Sequence, residues 1–368
     1  MGLLFMKLAV ISNIKGKGSE AIVGAAKKYF TKADHLDIKK ISVHIHKDSL
    51  RVYYEQKELP EYDCIYLRGS YKYALLNRSV TRALHHKVYM PLQPQAFALA
   101  HNKLLTLLEL QKNNILVPYT YFAATPDLAK ELLREVKYPI ILKIPEGGLG
   151  RGVVFAESEA AAKSMIDALE LFKQPYLIQE FIETKDETPC DLRVIVVGGK
   201  IAACMKRFAA KEEIRANIHA KGRGVPHKPS PEVEQISIKT AKLIGADICA
   251  VDVLEGIRPA VLEANISPGL AGITKYTKID VADNIAKMLY ERTKQFAVEK
   301  QKKPNIQEIV RDLKNESESL ISLNIINGII KLPKYVADIT GFTVNDEVMI
   351  SAKKGEFKVK EHIIKKEE

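Results

Sequence analysis

The chain has 368 residues, of which 46% are hydrophobic and 27% charged, and its formal net charge is +11 at pH 7. This composition is that of a globular protein with two or three domains, and it excludes collagenous, low-complexity and disulfide-scaffold chains. Apolar runs stay well short of the roughly 18 residues of a membrane span, and the positive charge favours anionic partners such as nucleotides, acidic peptides or nucleic acid.

The cysteines are scattered, without the close spacing of a metal site or a disulfide framework. All but Cys190 lie in apolar, strand-like runs, so we expect reduced thiols inside the core. The opening residues lack the charged start and the cleavage site of a signal peptide. These features predict a cytoplasmic protein with no membrane partner.

Residues 1–95 are predicted to form a small α/β domain with a mostly parallel sheet. The expected elements are strands at Lys7–Ser12, Lys40–His46 and Asp63–Leu67 and a helix at Ser19–Phe30. Ligands of such sheets collect at the carboxyl ends of the strands. Arg68, which follows the third strand, is therefore a candidate for holding a substrate carboxylate or phosphate; the alternative is a solvated arginine.

Residues 96–295 are predicted to form an α+β body, because antiparallel strands alternate with helices. The expected helices are Gln95–Lys112, Glu159–Leu169, Pro231–Ile244 and Ile279–Lys294. The expected strands are Tyr176–Ile182, Leu192–Val197 and Lys200–Arg207, with one strand pair within Pro139–Ala156 and another within Ile248–Asn265. The predicted fold class is thus α/β plus α+β.

The last of these strand pairs carries a candidate metal site. Asp252 lies on one apolar strand, and Glu263 and Asn265 lie two residues apart on the next, hence on one face. If the strands pair as a hairpin, the three side chains form an all-oxygen ligand set, which suits Mg²⁺. The alternative is a hairpin with ordinary surface carboxylates.

A glycine-rich segment, EGGLGRGVV, lies between two apolar strands. Gly148, Gly150 and Gly152 leave backbone amides free to surround phosphate oxygens, and such a hairpin can also act as a lid. The alternative is a mobile surface turn. Lys143 precedes this segment in the apolar strand IILKI, and because burying an unpaired ammonium is costly, we predict that it contacts phosphate.

Further candidates follow along the chain. In IQEFI, Gln179 and Glu180 end a strand whose backbone can bind an adenine edge, with Glu180 accepting from the amino group. The predicted catalytic residues are arginines that stabilise a transferring phosphoryl group or an oxyanion. They are Arg193, Arg207 and Arg215, with Asn217 as a further phosphate donor in RANIHAKGRG.

Residues from about Lys7 to Lys294 resemble the ATP-grasp superfamily and, within it, the RimK-type ligases that add α-linked L-glutamate. The matching segments are NKL, LKIPEGGLGRGVV, IQEFI, CDLRVIVVGGKI, RANIHAKG and VDVLEGIRPAVLEANISPGL. The resemblance implies a pre-ATP-grasp domain at residues 1–95 and an ATP-grasp domain at 96–295. The ATP contacts that it implies are Lys103, Lys143, Glu180, Phe181, Asp191, Arg215 and Asn217.

The resemblance also implies that Asp252, Glu263 and Asn265 bind Mg²⁺ or Mn²⁺. Ser267 and Gly269, in the loop after the hairpin, join Arg68 as substrate candidates. This sequence departs from the family pattern at Asn102, where Asp is usual before the lysine, and in an enlarged basic loop at residues 221–228. Either departure can alter substrate choice.

The reaction implied is the ATP-dependent joining of a carboxylate and an amine into an amide, through an acyl phosphate, with release of ADP and phosphate. The resemblance makes L-glutamate the expected amino acid. The acceptor is left open between a protein tail, a coenzyme and a carrier protein.

The C-terminal residues are predicted to form a separate unit. Gln295–Lys303 is polar and lysine-rich, which indicates a linker, and 306–313 has the spacing of an amphipathic helix; together they occupy residues 296–318. Residues 319–368 resemble the AbrB-like swapped-hairpin domain, which implies a homodimer or homotetramer. Residues 320–368 carry eight Lys/Arg against seven Asp/Glu, and DNA binding normally needs a denser basic patch. Dimerisation is therefore preferred. The alternative for the whole chain is a regulatory nucleotide-binding protein whose AbrB-like tail binds DNA.

Overall fold

The computed structural model describes residues 5–14, 16–47, 49–147, 152–183, 188–209 and 222–302, and the C-terminal strands at 324–326, 329–331, 348–353 and 356–361. The chain divides into two compact units, Met1–Phe296 and Ala297–Glu368. The candidate site residues all belong to the first unit.

The first unit begins with a parallel sheet. The elements of the first 84 residues are β1 (Lys7–Ser12), α1 (Lys17–Ala26), β2 (Lys32–Asp37), β3 (Ile41–His46), β4 (Ser49–Tyr54), β5 (Lys57–Glu58), β6 (Cys64–Leu67) and α2 (Ala74–Leu84). The sheet has the order β2-β1-β6, and both pairings are parallel. Strand β1 is buried after its first residue, as expected for a parallel strand that is covered on both faces.

The predicted strand at Lys40–His46 does not join this sheet. It forms β3 of a separate antiparallel sheet, β3-β4-β5. The parallel partner of β1 is instead β2, whose sequence KADHLD is too polar to read as a buried strand. The parallel sheet is therefore correctly predicted, but one of its strands is assigned to the wrong segment.

The single helix predicted at Gln95–Lys112 is two helices, α3 (Ala96–Leu99) and α4 (Lys103–Lys112). The break falls at Asn102, whose backbone is extended and whose side chain accepts a hydrogen bond from the Leu105 N–H at 3.1 Å. An asparagine in this conformation is a favoured helix N-cap. Lys103 consequently occupies the first position of α4.

A four-stranded antiparallel sheet follows, in the order β7-β10-β8-β9. Its elements are β7 (Thr120–Tyr121), α5 (Pro126–Leu132), β8 (Ile140–Lys143), β9 (Val153–Ala156), α6 (Glu159–Leu171) and β10 (Leu177–Glu180). Helices α5 and α6 pack on the face that carries Ile140, Leu142 and Ile178. Because side chains alternate along a strand, Lys143 and Gln179 project from the opposite face.

The second large sheet is antiparallel, with the order β13-β12-β11-β14-β15. Its elements are β11 (Cys190–Val197), β12 (Lys200–Phe208), β13 (Arg223–Pro226), α7 (Pro231–Ile244), β14 (Ile248–Glu255) and β15 (Pro259–Asn265). Helix α7 begins at its N-cap Ser230 and ends at Gly245, which has a φ of +81°, the usual glycine stop.

The last helices are α8 (Leu270–Thr277), in the first unit, and α9 (Val281–Lys302), which begins in the first unit and runs past its end at Phe296. Helix α9 continues through Lys302, where the sequence predicted a linker from Gln295 onward. Lysine, glutamine and glutamate favour helices as well as linkers, and neither glycine nor proline interrupts the segment. The predicted amphipathic helix at 306–313 lies outside the described residues.

In the second unit the described residues form two antiparallel strand pairs. They are β16 (Asn324–Ile326) with β17 (Ile329–Lys331), and β18 (Val348–Lys353) with β19 (Glu356–Glu361). The sequence predicts a strand at Leu320–Ile326 followed by a turn at Asn327-Gly328, and a hairpin of Val348–Ala352 with Phe357–Lys360, so both pairs occur where hairpins are predicted. A short helix that the sequence predicts to end at Thr340, before Gly341, falls outside the described part of the chain.

Two general expectations bear on the whole chain. The four cysteines, Cys64, Cys190, Cys204 and Cys249, are all buried and are not joined in disulfides, and burial raises the pKa of Cys64, Cys204 and Cys249 to about 12. Within the described residues, the structure contains no helix of sufficient length and apolar character to cross a membrane.

Candidate functional site

Two acid–arginine pairs lie side by side on the five-stranded sheet. The strand register sets Asp191 opposite Arg207 and Arg193 opposite Asp252. Arg207 donates to the two carboxylate oxygens of Asp191 at 2.6 and 2.5 Å. Arg193 likewise makes a bidentate contact, donating to both carboxylate oxygens of Asp252 at 2.9 and 2.8 Å.

A third contact joins the two pairs, because Arg207 Nη2 also lies 2.9 Å from Asp252 Oδ2. Burial by itself would raise the pKa of Asp252, but the charges of Arg193 and Arg207 outweigh it and lower that pKa to about 2. At Asp191, burial and the neighbouring Asp252 carboxylate raise the pKa above its usual range, against the opposing effect of Arg207. Asp252 is therefore ionised at neutral pH, as a metal ligand must be.

The sequence predicted Arg193 and Arg207 as cations facing a phosphoryl group. The structure gives both guanidinium groups carboxylate partners that the sequence analysis missed. Arg207 is only 5% exposed, and it links Asp191 to Asp252. Any contact of these arginines with phosphate stays a prediction, and their observed effect is to fix the two carboxylates.

The β14–β15 hairpin brings together the predicted metal ligands. Asp252 pairs with Glu263 across the hairpin, next to a bulge, and Asn265 lies two residues further along β15. Paired residues and those two apart project from the same face. The hairpin that the sequence analysis required is thus present, with the three side chains on one face.

The oxygens of this set retain room for a cation. Asp252 Oδ2 accepts from both arginines, but Oδ1 accepts from Arg193 alone and keeps a second lone pair. Asn265 Oδ1 accepts one hydrogen bond, from the Ser267 N–H at 2.9 Å. Since hard oxygens with water or phosphate in the remaining positions are the usual Mg²⁺ environment, this donor set fits Mg²⁺. Among the described residues, no three His, Cys, Asp or Glu side chains form such a group, and here the third ligand is an amide.

Lys143 is held by a buried glutamine on the four-stranded sheet. Its Nζ donates to Gln179 Oε1 at 2.5 Å, and the amide nitrogen of Gln179 donates to Thr120 Oγ1 at 2.8 Å. Gln179 is 2% exposed. The structure shows Gln179 bonded to Lys143, and the ATP contact that the sequence predicted for Gln179 stays a prediction. The sequence could have indicated this contact only from the position of both residues on one face of adjacent strands. That inference requires knowing that β8 pairs with β10.

The charge of Lys143 is sensitive to its surroundings. Burial is the largest cause and, together with the charge of Lys103, lowers the pKa of Lys143 to about 8 against the opposing effect of Glu263 and Asp191. The charges of these three side chains therefore reach the Lys143 ammonium. Lys103 is fixed beside them by its backbone N–H, which donates to the Pro145 carbonyl at 2.9 Å.

The end of β10 carries Glu180 and Phe181. Glu180 Oε1 accepts from the Tyr119 N–H at 2.7 Å, and the Glu180 N–H donates to the Tyr119 carbonyl at 2.9 Å. The ring of Phe181 meets that of Phe155 edge-on, with centroids 5.3 Å apart. Glu180 is thus already bonded to the backbone of the preceding segment, an interaction that the sequence analysis did not predict.

The glycine-rich segment is described only in part. Gly152 has a φ of +74°, and a Cβ at this position would lie 2.8 Å from Ile144 Cδ1, so only glycine fits there. Several predicted site residues lie outside the described residues, namely Gly148, Gly150, Arg215 and Asn217.

The substrate candidates meet where β6 ends. Arg68 is buried and donates through Nη2 to the Pro268 carbonyl at 2.7 Å. The Gly69 N–H donates to Ser267 Oγ at 3.0 Å, and Gly269 is the N-cap of α8. The loop that follows the β14–β15 hairpin is therefore tied to the parallel sheet of residues 7–67.

Comparison with known proteins agrees with this arrangement. Residues 100–289 match the family model of the RimK-like ATP-grasp domain. A probable alpha-L-glutamate ligase of Thioalkalivibrio sulfidiphilus is 33% identical over 293 residues, covering 78% of this chain and 97% of the relative. A probable alpha-L-glutamate ligase of Syntrophotalea carbinolica is 36% identical over 246 residues, covering 66% and 81%.

Solved structures share the fold. The RimK domain ATP-grasp protein of Sphaerobacter thermophilus superimposes with a TM-score of 0.61 at 18% identity, covering 77% of this chain and 98% of its own. The ATP-grasp ligase PsnB, solved with a precursor variant, Mg and ADP, gives a TM-score of 0.63 at 18% identity, covering 79% and 99%.

The chain belongs to the RimK-like ATP-grasp family. It is an ATP-dependent, ADP-forming ligase that makes amide bonds, and ATP and Mg²⁺ are its cofactors.

Proposed function

We propose that this ligase joins L-glutamate to a carboxylate acceptor through an acyl-phosphate intermediate. One observation carries the proposal: Lys143 lies within electrostatic range of Lys103, Glu263 and Asp191. Lys103, which like Lys143 is predicted to bind phosphate, and Glu263, a predicted metal ligand, therefore both lie near the Lys143 ammonium. The curated relatives named above support glutamate as the amino acid.

In the first step, an oxygen of the acceptor carboxylate attacks the γ-phosphorus of ATP, and ADP leaves. Lys103 and Lys143 hold the phosphate oxygens, and Asp252, Glu263 and Asn265 hold Mg²⁺, which offsets charge on the phosphates. Arg207 and Arg193 keep Asp252 ionised and in place.

In the second step, the amino group of glutamate attacks the carbonyl carbon of the acyl phosphate. Phosphate leaves with the C–O electron pair and takes up the proton that the nitrogen loses, and the amide remains. A protein nucleophile is not needed, so catalysis depends on position and charge.

The metal assignment has a direct test. Glu263→Ala removes a predicted ligand, and Glu255→Ala changes a carboxylate on the same hairpin that pairs with Lys206 and His227 instead. We expect Glu263→Ala to abolish ADP formation and Mg²⁺-dependent ATP binding, with unchanged circular dichroism. Full turnover in Glu263→Ala would contradict the assignment.

We further propose that residues 319–368 form an AbrB-like domain that dimerises the ligase. The two described strand pairs support this, and the nearly balanced charge of 320–368 argues against DNA binding. The four buried cysteines, which are not joined in disulfides, support a location in the reducing cytoplasm.

A further inference from the structure

The carboxyl end of β1 is the switch point of the parallel sheet. In the order β2-β1-β6, the chain passes from β1 to β2 on one side and later returns to β6 on the other side of β1, and open sheets of this kind bind ligands where the strand order reverses. Ser12 ends β1, and Arg68 follows β6. Arg68 is a candidate ligand-binding residue at this point, because the described groups around it do not balance its charge.

Arg68 is 6% exposed, and its Nη1 has no hydrogen-bond partner among the residues that the structure describes. Nη2 bonds the neutral Pro268 carbonyl, and the guanidinium lies 5.5 Å from the centroid of the Tyr66 ring. Among the described residues, no carboxylate forms an ion pair with Arg68. A buried guanidinium with an unsatisfied donor is costly, so its retention indicates a missing acceptor.

Two helices begin beside this guanidinium. The N-cap of α1 is Gly16 and that of α8 is Gly269, and neither supplies a side-chain cap. A Cβ built on Gly18, in the first turn of α1, would lie 3.3 Å from Arg68 Nη2, 3.7 Å from Nη1 and 3.7 Å from Leu270 Cγ at the start of α8. Both helix starts are therefore within a few ångströms of Arg68.

The electrostatics of this corner favour an anion. Helix N-termini carry partial positive charge and unsatisfied N–H groups, and a buried arginine next to two of them is repelled. The acidic residue in the first turn of α1 is Glu20, which is exposed. A carboxylate bound between Arg68 and the helix starts would satisfy Nη1 and offset all three positive groups.

We propose that Arg68 and the N-termini of α1 and α8 bind a carboxylate of the incoming amino acid, one that is not activated by ATP. This rests on the proposed function. The corner is adjacent to the β14–β15 hairpin, because Gly69 bonds Ser267 and Ser267 bonds Asn265 Oδ1. A substrate held there by one carboxylate extends its amine toward the reacting groups.

Two variants test the site, each with a matched control. Arg68→Gln removes the charge, with Arg51→Gln, an exposed arginine, as its control. Gly18→Ala places a methyl group against the guanidinium, whereas Gly24→Ala adds the same methyl on the same helix with nothing within 4 Å. Binding of glutarate, a dicarboxylate without an amine, is measured by calorimetry on the full chain with Mg·ADP present.

We expect Arg68→Gln to weaken glutarate binding and raise the KM for glutamate by about tenfold to 100-fold, as for loss of a charged hydrogen bond. The kcat and the ATP affinity should stay unchanged. Gly18→Ala should also weaken glutarate binding and raise the KM for glutamate, whereas Gly24→Ala should change neither. Glutamine lacks the side-chain carboxylate and 4-aminobutyrate lacks the α-carboxylate, so comparing each with glutamate identifies which carboxylate is bound. Arg68→Gln should remove the preference for glutamate only over the analogue that lacks the bound carboxylate.

Equal glutarate binding by wild type and Arg68→Gln, or none by the wild type, would overturn the proposal. A purely structural Arg68, acting through Pro268, predicts instead a lower Tm with unchanged KM. Failure of the proposed function has a different signature, since wild type would then bind glutarate without releasing ADP in the presence of glutamate and acceptor.

Discussion

Arg193 holds both carboxylate oxygens of Asp252, at 2.9 and 2.8 Å, from the directly opposing position on the neighbouring strand. The pair leaves one lone pair of Asp252 Oδ1 available to a cation. With Arg207 as a second donor, the predicted metal ligand is ionised and oriented before metal binds. Preorganised ligands of this kind need no rearrangement during the reaction.

Removing Arg207 should destabilise the fold. Arg207→Met leaves Asp191 and Asp252 buried without a shared counter-charge, and breaking a buried ion pair typically costs about 3–5 kcal/mol. Urea unfolding measures the change in the free energy of unfolding. Arg223→Met, an exposed arginine on the adjacent strand β13, is the control and should change it little. A loss below about 1 kcal/mol for Arg207→Met would contradict the network, given that surface pairs contribute that little.

Gln179 should affect ATP binding indirectly, because it is predicted to position Lys143. Gln179→Met keeps the volume but removes the acceptor for Lys143, so we expect ATP to bind about tenfold more weakly, within the range for hydrogen bonds to charged groups. Thr120→Val removes only the outer end of the chain of hydrogen bonds and should have a smaller effect. Calorimetric titration with ATP provides the values, and an unchanged Kd for Gln179→Met would show that Lys143 is positioned by other groups.

The lowered pKa of Lys143, about 8, predicts a pH dependence of ATP binding. The free enzyme loses the ammonium charge as pH rises through 8, so ATP affinity should fall between pH 7.5 and 9.5. In Lys143→Arg the charge persists, because arginine is not deprotonated in this range, and its affinity should stay level. A wild-type profile as flat as that of Lys143→Arg would refute the assignment of Lys143 to phosphate.

The same pKa fixes the sign of a stability effect. The unfolded chain keeps the Lys143 proton up to about 10.4, whereas the folded chain releases it near pH 8. The cost of burying the charged form is therefore present below pH 8 and is relieved between pH 8 and 10.4. Lys143→Met should accordingly gain stability relative to wild type below pH 8 and lose that advantage above it.

The second unit predicts an oligomer. A chain truncated after Lys302 removes the described strand pairs of residues 324–361 and should sediment as a monomer, while the full chain sediments as a dimer or tetramer. Truncated protein that keeps the full oligomeric state would place the interface in the first unit. Salt-sensitive binding of the full chain to one DNA sequence would favour the regulatory alternative.

Much of this architecture follows from local sequence signals. The β14–β15 hairpin was predictable because two apolar strands flank a short turn, and its ligand set follows from the alternation of side chains. Helix α7 matches its predicted bounds, since Ser230 and Gly245 are strong start and stop signals.

The pairings between distant strands were not predictable in the same way. The Asp191–Arg207 and Lys143–Gln179 contacts depend on strand register, which is set by tertiary packing and not by the residues themselves. Strand β2 was missed because its polar sequence gives no burial signal. Asn102, noted as a departure from the family pattern, proved to be the cap of α4, a role that asparagine and aspartate fill equally well.

The most direct test of the ligase account is ADP release by the full chain with Mg·ATP, L-glutamate and a cell extract as the source of acceptor. The account predicts turnover that requires both glutamate and extract, with mass spectrometry finding an acceptor heavier by one or more glutamyl residues. ATP binding without turnover in the presence of any amino acid would contradict the proposed glutamate ligase activity.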